Sequence, residues 1–472
     1  MKKPRILVCL ALAVASVLHA PGPVAGQSQT AAGDLDPRIQ KLVASVSQER
    51  LQQLLTKLVS FKTRNTFSDP SSPHGIGAAR QWIFDELKRS SPKLQVSFDV
   101  HTIPPGGRVP REVELRNVIA VLPGRTPRRI YVSGHYDSLN LGERGQAGLN
   151  TGGRQGGAPP AVTPPAATPP PAGEAGGGRA GQARPPADYE VVAPGANDDG
   201  SGTVLSMELA RVFAESGIEF DATLVFMTVA GEEYGLLGSG AHAQKMKAEN
   251  VPVQALFNND IVGNSTGGNG IVDGASIKVY AEGPEDSPSR ALAQFTRRWA
   301  ARYVPSHRIR PMARRDRFSR GGDHSAFNAA GFAAIGFRES KENYTMQHNA
   351  KDTIDGVSFP YLAQNARVNA AAMATLALAP PPPQVRPNMI SRQPSGYDAR
   401  LRWEAAPGAA GDRIFWRDAW APDWEHEMFV GSVTEVLLPN MNIDDHVFGV
   451  AAVGPAGHES TISAYVMAPR ND

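Results

Sequence analysis

The sequence predicts an α/β fold in which a mixed, largely parallel sheet is covered by helices on both faces, followed by a small β-sandwich. Three observations favour this fold. Apolar strand-like stretches alternate with segments of helical periodicity up to about residue 379, as in parallel strands joined by crossover helices. Several polar residues directly follow the strand-like stretches, where α/β proteins place their sites. Beyond Pro380–Pro383 the pattern changes to short strands separated by Gly and Pro turns.

The composition and the first residues indicate an exported protein. The 472 residues carry 48 Lys and Arg against 46 Asp and Glu, so nothing points to nucleic acid or an anionic surface as a partner. Residues 1–26 combine a basic start, an apolar run and small residues near a cleavage site, which predicts a signal peptide. The one cysteine, Cys9, lies inside it. Because no later stretch is apolar enough to cross a bilayer, we expect a secreted or periplasmic protein without a membrane span.

Hydrophobic periodicity predicts the elements of the larger domain, residues 27–379. Apolar residues that recur at three- and four-residue spacing indicate helices, and short apolar runs indicate strands. The predicted helices are Asp36–Phe61, Ile76–Arg89, Val204–Phe213, Gly235–Glu249, Ser287–Tyr303 and Ser358–Leu378, and the predicted strands are Leu94–Val100, Asn117–Leu122, Arg129–Ser133, Ala222–Val229, Ala255–Val262 and Phe332–Phe337.

Three further segments are distinguished by composition. Gly, Ala and Pro dominate residues 141–189, which predicts a disordered insertion without a core of its own. Residues 380–386 are predicted to be a semi-rigid, Pro-rich linker. Residues 387–472 are predicted to form a β-sandwich of about the size of an immunoglobulin-like module. Its predicted strands are Ala399–Trp403, Arg413–Trp416, Thr434–Leu437, Val447–Val453 and Ile462–Met467.

Two adjacent carboxylates are the centre of the predicted site. Asp198 and Asp199 lie in the glycine-rich stretch Pro194–Thr203, just before a predicted helix. Glycines allow tight backbone geometry, so the turn can aim a carboxylate into the protein. Because a buried carboxylate is costly unless a positive group compensates its charge, we expect a metal here. The sequence therefore predicts that Asp198 bridges two metal ions.

Other candidate ligands occur in similar turns. His135 and Asp137 are two residues apart at a strand end, so the carboxylate can fix the tautomer of the imidazole. Glu232 and Glu233 follow an apolar strand, and one of two such neighbours can bind metal while the other acts as a base. Taken singly, each residue has an ordinary structural explanation, such as a turn cap. Together, two histidines and three carboxylates suit paired zinc ions; the candidates are His135, Asp198, Glu232 or Glu233, Asp260 and His348.

These motifs, in order, resemble peptidase family M28 of co-catalytic zinc peptidases, and the secreted bacterial aminopeptidases in particular. The resemblance covers about Asp36 to Ala379, apart from the insertion. It is carried by Gly134-His135-Tyr136-Asp137-Ser138, Asn197-Asp198-Asp199-Gly200-Ser201-Gly202, Gly231-Glu232-Glu233, Asn259-Asp260, Gly322-Asp323-His324-Ser325-Ala326-Phe327, and His348 with Asp352-Thr353.

The resemblance implies a three-layer α/β/α zinc-exopeptidase sandwich with two Zn²⁺ per chain. It implies that Glu232 is the general base, that Asp137 orients His135, and that the nucleophile is a metal-bridged hydroxide. It also implies a cis peptide between Asp198 and Asp199, and leaves His324 structural or substrate-adjacent. The implied ligands are His135 and Asp260 for one zinc, Glu233 and His348 for the other, and Asp198 for both.

Two features depart from the family pattern or extend beyond it. Gln347 stands where many relatives carry a tyrosine that helps stabilise the oxyanion, and whether Tyr344 replaces it is open at this stage. The C-terminal part resembles a fibronectin type III module, with His446 in place of the usual tyrosine; we expect such a module to bind a surface, a polysaccharide or a protein. His446 and His458 are predicted to be surface residues. The resemblance is carried by Leu401-Arg402-Trp403, Ile414-Phe415-Trp416-Arg417 and the stretch from Val447 to Ser460.

The predicted function is hydrolysis of the N-terminal peptide bond of peptides. A carboxypeptidase or dipeptidase of the same family would share the catalytic residues, so these cannot decide between them. A glutaminyl cyclase would use one zinc, and an inactive binding protein would be expected to have lost ligands. A basic cluster before the Gly322 motif is predicted to be a solvated loop, as charge runs usually are; it comprises Arg310, Arg314, Arg315, Arg317 and Arg320.

Overall fold

The computed structural model describes residues 35–142, 188–318, 320–394 and 396–466. The predicted signal peptide and nearly all of the predicted insertion lie outside these residues. The helices are α1 Pro37–Ala44, α2 Gln48–Val59, α3 Ile76–Ser90, α4 Ser201–Glu215, α5 Leu237–Ala248, α6 Pro288–Tyr303, α7 Asp323–Ala330 and α8 Phe359–Leu378. The strands of the large sheet are β1 Gln95–Ile103, β2 Val113–Leu122, β3 Thr126–His135, β4 Ala222–Val229, β5 Val253–Asn259, β6 Ser276–Ala281, β7 Arg308–Met312 and β8 Ala334–Glu339.

These strands form one mixed sheet of eight strands in the order β1-β2-β4-β3-β5-β8-β6-β7. The central strands β4, β3, β5 and β8 run parallel to one another. On one side, β2 pairs antiparallel with β4, and β1 pairs antiparallel with β2. On the other side, β6 pairs antiparallel with β8. The carboxyl ends of the four central strands therefore meet at one edge, where the predicted ligands lie.

Apolar side chains on both faces of the sheet give a three-layer sandwich. On β3, Ile130 and Val132 join the larger core, whereas Tyr131 between them joins the core on the opposite face. This alternation is the two-residue period of a strand. The larger core contains α1 to α4, α6 and α8, and the smaller one contains residues of α5 and α7. Within the part of the chain described, no helix is long and apolar enough to span a bilayer.

One predicted helix is wrong in its extent. Asp36–Phe61 forms two helices, α1 and α2, with a break at Ser45–Ser47. Ser45 donates its hydroxyl to the carbonyl of Leu42 at 2.7 Å, and Ser47 accepts the N–H of Arg50 at 3.1 Å. Serine side chains that bond to the backbone favour the end of one helix and the start of the next. Hydrophobic periodicity gives no sign of such a break.

Three elements of the large domain were not predicted: β6, β7 and α7. Strand β7 includes Arg308, Arg310 and Pro311 and lies at the edge of the sheet, where proline and charge are tolerated. Helix α7 has only eight residues, too few for a periodic signal.

The C-terminal part consists of two small sheets around a core of its own. One sheet has the order β13-β10-β9 and the other β12-β11-β14-β15, with apolar residues of both in one cluster. Strands β9 and β12 were not predicted, and the last strand is shorter than predicted. The bounds are β9 Ile390–Arg392, β10 Ala399–Arg402, β11 Gly411–Asp418, β12 His426–Gly431, β13 Glu435–Leu438, β14 His446–Val453 and β15 Ser463–Ala464.

The C-terminal sheets contact the large domain along α6. Arg298 of α6 donates to Glu427 at 2.6 Å and to Glu459 at 3.2 Å, and Trp424 donates its indole N–H to Gln294 at 3.2 Å. His458, predicted to be a surface residue, is 6% exposed and lies 3.1 Å from Asp36. That prediction is wrong because the sheets pack against the large domain, a contact that the sequence pattern does not show.

Candidate active site

The large sheet brings the predicted ligands to one place. His135 is the last residue of β3, Glu232 and Glu233 form a short turn after β4, and Asp260 follows β5. Asp198 lies in the turn Ala196–Gly200 that leads into α4. Apart from Glu232 and His348, which are partly exposed, these side chains are buried. His348 lies in the loop between β8 and α8. The end of one strand and four separate loops therefore supply one polar cluster at the carboxyl edge of the parallel strands.

The first group of ligand atoms surrounds His135. Its Nε2 lies 3.4 Å from Asp198 Oδ1 and 3.8 Å from Asp260 Oδ1. On the other side of the ring, Nδ1 lies 3.1 Å from the backbone oxygen of Asp137 and 3.5 Å from its carboxylate. A proton on Nδ1 therefore leaves Nε2 with a lone pair that faces the carboxylates.

The second group surrounds His348. Its Nε2 lies 3.0 Å from Asp198 Oδ2 and 3.1 Å from Glu233 Oε2. Because Oδ1 of Asp198 faces His135 and Oδ2 faces His348, one carboxylate belongs to both groups. Each group offers three donor atoms that lie within 4.8 Å of one another.

Both groups fit divalent metal ions. The buried Nε2 of His135 and Oε1 of Glu233 have no hydrogen-bond partner among the described residues. Buried polar atoms without partners are uncommon in folded proteins, and a metal ion would satisfy them. Imidazole nitrogens mixed with carboxylate oxygens, in two sets of three, are the donors that zinc takes in catalytic sites.

The electrostatics point to the same requirement for cations. Burial alone would lower the pKa of His135 and of His348, but the nearby carboxylates of Glu232 and Glu233, respectively, raise both pKa values well above the usual one. Burial raises the pKa of Glu232 well above its usual value, and the neighbouring carboxylates of Asp260 and Glu233 add to this against the effect of His135. So many buried acids in one place need positive charge nearby.

Asp137 has a wider role than was predicted. It lies beside His135, as expected, but its carboxylate also accepts the backbone N–H groups of Glu232 at 3.1 Å and Glu233 at 3.3 Å. The hydroxyl of Thr66 donates to the same carboxylate at 3.0 Å. Asp137 therefore fixes the turn that carries both glutamates as well as the ring of His135.

Two further carboxylates hold the loops that present the ligands. Asp199 accepts the N–H of His135 at 2.9 Å and the N–H of Gly202 at 2.9 Å. Asp352 accepts the N–H groups of Asn197 and Asp198, each at 2.9 Å, and burial raises its pKa to about 7. Both residues stand in motifs singled out from the sequence, but their roles as backbone acceptors were not predicted. The Asp198–Asp199 peptide is cis, as the resemblance implied.

Two buried arginines were not predicted at all. Arg64 donates to the backbone oxygens of Tyr136 at 2.7 Å and Gly195 at 2.8 Å, which ties the loop after β3 to the loop before Asp198. Arg338, at the end of β8, donates to both oxygens of the Asp260 carboxylate. Neither arginine stands in a recognisable motif, so the only signal was the need for cations near so many acids.

The remaining predictions about the site have mixed outcomes. His324 is 2% exposed, its Nε2 lies 2.8 Å from the backbone oxygen of Arg315, and burial lowers its pKa to about 4, so it is structural. Tyr344 is 47% exposed and its ring is covered by Arg320 at 4.6 Å. The basic cluster is not a solvated loop throughout, because the side chain of Arg317 is 10% exposed and pairs with Glu342.

Another cluster of potential ligands lies away from this site. Asp99 accepts from His101 at 2.6 Å, from His242 at 2.8 Å and from Lys245 at 3.1 Å. The second nitrogen of His242 lies 3.2 Å from the hydroxyl of Tyr131. Since Lys245 already compensates the carboxylate and both nitrogens of His242 have partners, hydrogen bonds account for this cluster without a metal.

Comparison with known proteins gives the same family as the motifs. The family model described as peptidase family M28 matches residues 117–373. A probable zinc metalloprotease of Leptosphaeria maculans is 35% identical over 455 residues, which cover 89% of this chain and 94% of that protein. A probable zinc metalloprotease of Pyricularia oryzae is 33% identical, with 90% of this chain and 84% of that protein covered.

Solved structures share the fold. The LapA aminopeptidase of Legionella pneumophila superimposes with a TM-score of 0.50 at 18% identity, covering 72% of this chain and 75% of that one. LapB of the same organism gives a TM-score of 0.51, also at 18% identity, covering 73% and 75%. The family match, which extends over more than half of the sequence, agrees with the two ligand groups at the carboxyl edge of the sheet. The chain therefore belongs to peptidase family M28 and is a hydrolase that acts on peptides.

Proposed function

We propose that the protein is an exported aminopeptidase that holds two zinc ions per chain. The observation that carries this proposal is the Asp198 carboxylate, whose two oxygens face the imidazoles of His135 and His348 at 3.4 and 3.0 Å. His135 and Asp260 would hold one zinc, Glu233 and His348 the other, and Asp198 both. The names of the fungal relatives support zinc as the metal.

Bound zinc would supply Lewis acidity, which polarises the scissile carbonyl and makes a nucleophilic water more acidic. The proton transfers fall to Glu232, whose side chain is 15% exposed and lies 3.9 Å from Nε2 of His135. Glu232 takes a proton from the attacking water and later returns it to the amine that leaves.

The finer parts of the proposal have separate support. Preference for a free N-terminus is supported by LapA, an aminopeptidase whose fold this chain shares. Export follows the basic and apolar pattern of residues 1–26. Residues 27–379 would form the peptidase domain, which the insertion at 141–189 interrupts. Residues 380–386 would be a linker, and residues 387–472 a fibronectin-like module that binds a surface, a polysaccharide or a protein.

The experiment that tests the function combines a substrate panel with one substitution. The enzyme should hydrolyse aminoacyl p-nitroanilides with a free amine, and a chelator should abolish this. Glu232→Gln should lower kcat by about 10²- to 10⁴-fold without changing the zinc content, because it removes the proton acceptor and no ligand. Glu249→Gln, an exposed glutamate, is the matched control.

Three outcomes would contradict the proposal. A Glu232→Gln enzyme that stays nearly as active as the wild type would refute the role of Glu232 as base. Hydrolysis of N-blocked peptides that have a free C-terminal carboxylate, with none of free-amine substrates, would favour a carboxypeptidase instead. Full activity after complete removal of metal would refute the zinc-dependent mechanism altogether.

A further inference from the structure

The loop between β7 and α7 is built from arginines that are mostly paired. Arg317 pairs with the buried carboxylate of Glu342, and Arg338, which packs beneath the loop, pairs with Asp260. Arg315 is exposed and contacts Asp316 at 3.2 Å. Each of these guanidinium groups therefore has a carboxylate of the same chain beside it.

Arg320 differs from these three, because the side chains that contact it directly are neutral. Arg314 also forms no ion pair among the described residues, but it lies over the exposed ring of Phe318 at 3.7 Å. Its Nη2 donates to the side-chain oxygen of Gln347 at 2.9 Å, and its guanidinium lies over the ring of Tyr344 at 4.6 Å. Among the described residues, no carboxylate forms an ion pair with it, although the side chain is half-buried. A guanidinium offers five N–H donors in a planar fork, so most of its hydrogen-bonding capacity remains for another molecule.

The surrounding charge is also positive. Burial would raise the pKa of Glu342, but Arg317, Arg338, Lys278 and Arg320 together lower it. Arg317 contacts Glu342 directly, and Arg338 is held by Asp260. Among the described residues, Lys278 and Arg320 form no ion pair with a carboxylate, so they add positive charge around a Glu342 that Arg317 already contacts.

Arg320 is also connected to two segments that belong to the metal-ligand groups, through the chain to Gly322 and through its hydrogen bond to Gln347. The next residue, Gly321, accepts from Arg338 at 2.7 Å, and the one after it, Gly322, packs against Asp260 so closely that a Cβ would lie 2.9 Å from its Oδ2. On the other side, Gln347 directly precedes His348. Arg320 thus lies between the segment that packs on one ligand and the segment that carries another.

We propose that Arg320 binds a carboxylate of the substrate close to the scissile bond, so that the enzyme prefers acidic peptides over neutral ones of the same shape. This inference rests on the proposed peptidase function and specifies its substrate class. The carboxylate has two possible sources: an Asp or Glu side chain at the cleaved position, or the α-carboxylate of a short peptide. A planar guanidinium would bind either in a bidentate manner.

The test compares substrates that differ only in that charge. Glu-p-nitroanilide against Gln-p-nitroanilide tests a side-chain carboxylate, and Leu-Gly against Leu-Gly-amide tests the α-carboxylate. We expect kcat/KM to favour the charged member of at least one pair by about tenfold, as for a charge-assisted hydrogen bond. Arg320→Gln should reduce that ratio to near one, mainly through KM, and Arg320→Lys should keep part of it.

Arg315→Gln is the matched control, since it removes the same charge from the exposed part of the loop and should keep the ratio. Thermal unfolding of each variant checks that it folds. If the wild type cleaves charged and neutral members equally well, or if Arg320→Gln keeps the preference, the inference is wrong while the peptidase function stands. If the wild type cleaves none of these substrates, the proposed function itself fails.

Discussion

At the scale of single residues, the site consists of proposed metal ligands and of side chains that hold them in place. Asp137, Asp199 and Asp352 all accept backbone N–H groups of the loops that carry His135, Asp198 and the two glutamates. A carboxylate that accepts several N–H groups fixes a loop more firmly than solvent does. The proposed ligand atoms are therefore held in position by neighbouring side chains.

Arg338 gives a prediction at this scale. It holds both oxygens of Asp260 and is 3% exposed, so it fixes the orientation of a proposed zinc ligand. Substitution by methionine should weaken zinc binding by about 10- to 100-fold, as loss of a group that orients a ligand does. Zinc titration of the apo-protein measures this. Arg338→Lys keeps the charge without the planar fork, so its zinc affinity should lie between those of the wild type and Arg338→Met. An Arg338→Met protein with unchanged zinc affinity would contradict the proposal that Arg338 orients Asp260.

The proposed ligands could be picked out from the sequence, whereas the side chains that support them could not. His135, Glu233 and Asp260 stand next to apolar strands in motifs that the sequence displays. Arg64 and Arg338 act through contacts with residues 72 and 78 positions away, respectively, and no local pattern marks them. Long-range hydrogen bonds depend on how loops meet in space, and a single sequence does not carry that information.

At the scale of elements, the site depends on how closely α4 approaches the sheet. A Cβ on Gly134 of β3 would lie 2.2 Å from the backbone carbon of Gly202, and a Cβ on Gly202 would lie 2.0 Å from the backbone oxygen of Asn259. Only glycines allow this approach, and it brings Asp199 within reach of both β3 and α4. The long, strongly periodic elements were predicted well; β7 and α7 were not, because tertiary contacts rather than periodicity define them.

The close contact between α4 and the sheet predicts opposite effects for two Gly→Ala substitutions in helices. Gly202→Ala should destabilise the protein by about 1–3 kcal/mol, as overpacking does, and should also lower activity because α4 must move away from β5. Gly240 in α5 has no atom within 4 Å of its Cβ position, so Gly240→Ala should stabilise by about 0.5–1 kcal/mol. Chemical denaturation measures both, and a Gly202→Ala protein as stable as the wild type would contradict the packing argument.

At the scale of the whole molecule, the C-terminal sheets are joined to the large domain by buried charge. Arg417 of β11 donates to Asp286, which precedes α6, at 2.7 Å; their side chains are 1% and 5% exposed. Burial raises the pKa of Asp286 and Arg417 opposes this rise. Short apolar strands predicted the C-terminal core, but the contact of these sheets with the segment before α6 leaves no periodic signal.

The buried pair predicts a large loss of stability when one partner is removed. Arg417→Met should lower the free energy of unfolding by about 3–5 kcal/mol, because Asp286 would be left buried without its cation. Arg400→Met is the matched control, since Arg400 pairs with Glu435 on the surface and its loss should cost about 1 kcal/mol or less. Equal losses in the two variants, measured by chemical denaturation, would show that the contact with Asp286 contributes little.

The central claim is that one carboxylate serves two metal ions, and a crystal structure with zinc anomalous scattering tests it most directly. The account predicts two anomalous peaks per chain, one on each side of the Asp198 carboxylate. It also predicts that Asp198→Asn lowers the zinc content measured in solution from two ions toward one or none. A single peak at saturating zinc, or an Asp198 side chain turned away from both histidines, would contradict it.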